Sequence, residues 1–80
     1  MARKHFKAYE AVSSAFPAGE AFKAVIALKR RDSDEDPLIH QVTNRFYDLA
    51  AEADEAANAA LNRVLEVDEF GKLVWESSGG

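Results

Sequence analysis

Eighty residues without a cysteine form at most one small domain, and the missing thiols exclude disulfides, thiolate nucleophiles and Cys-based zinc sites. No apolar run approaches the roughly 20 residues of a membrane span. The net charge of −4 hides a separation: residues 1–31 set seven cations against Glu10 and Glu20 (+5), whereas residues 32–80 set Arg45, Arg63 and Lys72 against twelve acids (−9). Such asymmetry points to a charged partner, or to packing of one half or one copy against another.

The first element expected is a helix over residues 3–16, because Phe6, Tyr9, Val12 and Phe16 recur at helical spacing beside Ala8, Ala11 and Ala15. Pro17 and Gly19 break it. A second helix is expected over 18–31, with Ala21, Phe22, Val25, Ile26 and Leu28 on its apolar side. Lys29, Arg30 and Arg31 then fall in its last turn, where cations oppose the macrodipole. Asp32–Asp36 read as a loop, and Asp36-Pro37 as a helix start with Asp at the cap and Pro at the first position.

A long third helix, 37–64, follows from a seam of Ile39, Val42, Phe46, Leu49, Ala53, Ala56 and Ala60, spaced alternately 3 and 4. The seam is bulky in its first half and alanine in its second. An alanine face buries little area, so bulky residues such as Phe6, Tyr9, Phe16 and Phe22, or a second chain, are expected against it. Around "DEFGK", the alternation of Leu65, Val67, Leu73 and Trp75 predicts a β-hairpin turning at Gly71, with a helix capped by Gly71 as the rival. The fold expected is mainly α: two short helices packed on one long helix, with a C-terminal hairpin, as a single domain over 1–76 and a disordered tail over 77–80.

The chemistry-bearing patterns are incomplete. Asp32, Asp34 and Asp36 open like a calcium-binding loop, but Pro37 stands where Gly is required and Thr43 where a bidentate Glu is required. His5 and His40 form no H-x-x-x-H pair, and Ser13 and Ser14 have no nucleophile context. The first two helices could imitate a helix-turn-helix, but Glu20 would open the recognition helix and repel phosphates. The cations at 29–31 lie at its far end, so direct nucleic-acid binding is not expected.

These readings converge on a small cytoplasmic protein with no enzymatic activity, metal or cofactor, working by protein–protein contact. It would regulate or inhibit a larger protein with a basic surface. The surface expected to do so is the acidic stripe Asp48, Glu52, Asp54 and Glu55, with Phe70 and Trp75 as aromatic anchors. A homodimer or structural subunit of a homo-oligomer is the first alternative, and a helix-turn-helix-like nucleic-acid binder the second. Size alone suggests a viral or mobile-element origin.

Overall fold

A computed structural model describes residues 2–75. The chain runs β1 (Arg3–His5), β2 (Tyr9–Ala18), β3 (Ala21–Arg30), β4 (Leu38–Tyr47), α1 (Ala50–Asn62), β5 (Val64–Val67) and β6 (Leu73–Trp75). Strands β1 to β4 form an antiparallel meander in sequence order, and β5 and β6 form a separate hairpin. Of the described residues, strands take up 54% and the single helix 18%, which overturns the expected mainly helical fold. The expected tail at 77–80 lies outside the described residues.

Both short helices are strands, and the reason is visible in the registers. Pairing of Tyr9↔Arg30, Ala11↔Leu28, Ser13↔Ile26 and Ala15↔Ala24 puts the odd residues of β2 and the even residues of β3 on one face. The 3-3-4 spacing of Phe6, Tyr9, Val12 and Phe16 was therefore a coincidence of two faces: Tyr9 points into the core, whereas Val12 and Phe16 lie on the opposite side. In β3, Ala24–Leu28 is a continuous apolar run, a pattern that fits a strand packed on both faces as well as a buried helix.

The junction read as a helix break is a two-residue hairpin. Ala18 pairs with Ala21 across Gly19-Glu20, and Gly19 has φ +68° while Glu20 does not enter the positive range. A glycine at the first central position alone is the type II′ pattern, whose twist matches that of the strands. In such a hairpin Ala18↔Ala21 is the hydrogen-bonded pair and Pro17↔Phe22 is not. Pro17 thus lacks its N–H on the outer edge of β2, beyond the end of β1, where no ladder bond is lost. With these two helices gone, the helix-turn-helix alternative has no structural basis.

The expected long helix divides at the point where its seam changes character. The half with Ile39, Val42, Thr43, Phe46 and Tyr47 is β-branched and aromatic and forms β4; the alanine half forms α1. Asp36-Pro37 leads into a strand instead of capping a helix. Between Gln41 and Phe46, β4 bulges away from β3, whose opposing residues are only Val25 and Lys23.

Helix α1 lies on the Tyr9–Ala11–Ser13 face and buries Ala53, Ala57 and Leu61. Across from them sit Ala11, Ala24, Ile26 and Leu28; of the aromatic residues expected there, Tyr9 is buried in the core with Leu61 and Phe6 packs against that core, whereas Phe16 lies on the opposite face. At the other end of the same face, Tyr9, Leu28, Leu61 and Val64 form the core with Val67 and Leu73 of the hairpin. Ser13, fully buried, donates to Asn58 Oδ1 and accepts from the Ala2 N–H at 2.8 Å, tying β2 to α1 and to the start of β1. Lys4 donates to the Val64 carbonyl at 2.6 Å, placing a cation just past the C-terminal end of α1. Helix and hairpin thus share one face of the sheet.

Candidate functional site

Two surfaces result from this layering. The outer surface of α1 and the hairpin, residues 48–75, holds seven acids against Arg63 and Lys72, a net charge of −5. The charge separation seen in the sequence is only partly a separation between the two layers: residues 2–47 carry +2, because Asp32, Asp34, Glu35 and Asp36 lie in the loop between β3 and β4. Asp48, Glu52 and Glu55 are exposed and follow one another at one end of α1, while Asp54 is half-buried and engaged by the protein itself. Acids at this end also favour the positive end of the helix dipole, which matters because Leu49 supplies no side-chain cap. Beside them, Arg45, Tyr47, Glu52, Glu55, Ala56 and Ala59 line a shallow cleft between the end of β4 and the helix. Within it the Arg45 guanidinium stacks 4.7 Å from the Tyr47 ring centre, held by cation–π attraction.

The aromatic anchors lie elsewhere. Phe70, 81% exposed, sits at the tip of the β5–β6 hairpin. Asp68 builds that tip: its Oδ1 accepts from the Phe70 N–H at 2.8 Å and from the Lys72 N–H at 2.9 Å. The Asp68 carboxylate is thus committed to the turn. Gly71, at φ +80°, packs against Tyr9 and Leu38, and its carbonyl meets His40 Nε2 at 3.0 Å. Trp75 pairs with Val64, just beyond the helix C-terminus, and is 40% exposed. The hairpin tip thus adjoins the Leu38 end of β4 and the acidic cleft adjoins its Tyr47 end. Ten residues of strand separate them, roughly 30 Å. The sequence grouped these residues as one surface; the fold brings together Asp48, Glu52 and Glu55 and leaves Phe70 and Trp75 apart from them.

Sequence reasoning missed the second surface, the other face of the sheet. The registers arrange it in four rows across the strands. His5, Glu10 and Lys29 form the first row, and Arg3, Val12, Ala27 and Ile39 the second. Ser14, Val25 and Gln41 form the third, and Phe16, Lys23 and Phe46 the fourth. Glu10 is held by Arg3 at 3.0 Å, and Lys23 lies 5.3 Å from the Phe16 ring centre. Among the described residues, no helix or strand covers this face, yet Phe16, Ile39 and Phe46 are 44%, 46% and 57% exposed on it. The signal for it was the alternation Val12, Ser14, Phe16, which the helical spacing masked.

Among the described residues no group of three His, Asp or Glu side chains is placed to hold a metal ion, and no helix is long and apolar enough to cross a membrane. The loop with Asp32, Asp34 and Asp36 connects β3 to β4. No protein-family model, no curated protein and no solved structure matches the chain.

Proposed function

We propose that this protein is a non-enzymatic protein-binding module that acts in the cytoplasm as a regulator or inhibitor of a larger protein with a basic surface. The observation that carries this reading is the charge of the helix-and-hairpin layer, −5 over residues 48–75, with Asp48, Glu52 and Glu55 exposed beside the Arg45–Tyr47 cleft. A surface of one sign steers an oppositely charged partner and fixes its orientation. Phe70 and Trp75 supply apolar anchorage at the far end of the layer, so the footprint is long and suits a partner larger than the chain itself.

The test is charge reversal at Glu52 and Glu55 together. The wild-type chain is used to capture partners from the host lysate, and each purified partner is titrated with wild type and with E52K/E55K. Affinity is expected to fall at least about tenfold, mainly through slower association at low salt. An unchanged affinity for every captured partner would mean that this helix surface is merely solvated.

A further inference from the structure

We infer that the cleft between the end of β4 and α1 is the seat of an arginine side chain of the basic partner, and that Arg45 fills this seat until the partner displaces it. This rests on the reading of the acidic layer as the binding surface, and adds which side chain is recognised there and by what. Three observations carry it.

The first is the bulge in β4. Ahead of it, Ile39 and Gln41 lie on the open face with Ala27 and Val25. An unbroken alternation would place Arg45 and Tyr47 there as well, and turn Phe46 toward the helix. Instead residues 42–45 stand opposite Ala24 alone and the parity reverses. Tyr47 then pairs with Phe22 on the helix side, and Phe46 joins Lys23 on the open face. The bulge is held by its own side chains: Gln41 Nε2 donates to the Thr43 carbonyl at 2.8 Å, and the Thr43 hydroxyl donates to the Arg45 carbonyl at 3.4 Å. Its effect is to turn the Tyr47 ring toward α1, and re-aiming a side chain is what bulges beside functional sites commonly do.

The second observation is what that ring already holds. The Arg45 guanidinium lies 4.7 Å from the ring centre, within the range of cation–π attraction. Arg45 is exposed, and at an exposed site this attraction is weak, so a second guanidinium can take its place. The chain's own arginine thus displays the chemical group the ring accepts.

The third is the pair of carboxylates opposite. Glu52, Glu55, Ala56 and Ala59 run along one stripe of α1 and line the cleft. Although Arg45 shares the cleft, neither Glu52 nor Glu55 forms an ion pair among the described residues. The two alanines leave room along the stripe for the stem of a long side chain. An incoming arginine can stack its plane on Tyr47 and direct N–H groups to the carboxylates at the same time. A lysine offers a compact charge with no plane to stack. The acids draw any cation, and the ring selects arginine.

The test uses the isotope-labelled full chain, titrated at low salt with a capped peptide of arginines alternating with glycines and with its lysine counterpart, and followed by NMR. The arginine peptide is expected to bind at least about threefold tighter. Tyr47→Leu is expected to remove this preference, and Glu52→Gln combined with Glu55→Gln to weaken both peptides alike. Arg45→Gln is expected to tighten arginine-peptide binding at least about threefold beyond Arg63→Gln, which removes the same charge at the other end of α1. Should Tyr47→Leu fail to fold by circular dichroism, contacts in the wild type between the Tyr47 ring and the arginine side chains of the peptide decide the matter independently. Equal binding of the two peptides, binding of neither, or an Arg45→Gln chain no tighter than Arg63→Gln would overturn the inference. So would shifts at Tyr47 that follow protein concentration alone, which would assign the cleft to a second copy. If the inference fails while the double glutamine variant still weakens both peptides, the acidic surface keeps its role. If that variant binds both as the wild type does, the broader reading falls and this one with it.

Discussion

Gly71 shows how a single position can hold two elements in place. A Cβ on its backbone would lie 2.5 Å from Leu38 Cδ1 and 3.4 Å from Tyr9 Oη, at a φ that side chains rarely adopt. Gly19 has a similar φ but nothing within 4 Å of a built Cβ. Alanine at Gly19 is therefore expected to cost about 1 kcal/mol, the backbone penalty alone. Alanine at Gly71 adds the displacement of Leu38 and is expected to cost roughly 2–3 kcal/mol. Urea denaturation of the two variants checks both the order and the gap. The turn role of Gly71 was legible in the sequence, from "DEFGK" between alternating apolar residues. Its contact with Tyr9 was not, because that contact joins positions 62 residues apart. Ser13 and Asn58 were equally illegible: nothing local marks either as half of a buried pair.

At the scale of elements, what the sequence revealed and what it hid follow from where apolar side chains fall. The hairpin was readable from its turn residues between short apolar runs, although Leu65 of the expected alternation is exposed and Val64 is buried instead, and α1 was readable through its alanines. Strands β2, β3 and β4 carry apolar residues on both faces, which erases the period of two and lets a helical spacing emerge by chance. The seam from Ile39 to Ala60 was real as a pattern, yet its switch from bulky and β-branched residues to alanine was a boundary between element types. The same alanines set the distance at which α1 meets the sheet. Ala57, fully buried opposite residues such as Ala11 and Ala24, has no room to grow. Ala57→Leu is expected to cost about 1–3 kcal/mol through overpacking. Ala59→Leu, on the exposed side of the same helix, is expected to stay within about 0.5 kcal/mol. Chemical denaturation of both variants tests whether closeness, rather than helix propensity, governs this contact.

The whole molecule separates two kinds of surface onto opposite layers. One is acidic and open to charged encounter; the other sets Val12, Ala27, Ile39, Phe16 and Phe46 among cations, Ser14 and Gln41. Partner binding through Glu52 and Glu55 acts across exposed charges, which are screened beyond about 10 Å at 0.1 M ionic strength. Raising salt from about 0.05 M to about 0.5 M is therefore expected to weaken partner binding several-fold. A titration series over that range measures the response. Little of this was legible in the sequence beyond the charge halves at residue 31, since assignment to layers requires the registers of the strands.

The meander order, with α1 following the sheet it covers, also sets a schedule for the ribosome. Residues 9–47, which form the three long strands, are synthesised before Ala53, Ala57 and Leu61 exist to cover them. At about 5–20 residues per second, the interval between completing β4 and completing α1 is on the order of a second. During it the nascent sheet is bare on both sides, with Ile26 and Leu28 facing one way and Val25 and Ile39 the other. Lys4 waits longer still for its acceptor, the Val64 carbonyl, 60 positions downstream. A segment made later thus closes one made earlier, and until it does the sheet exposes the kind of apolar surface that favours aggregation.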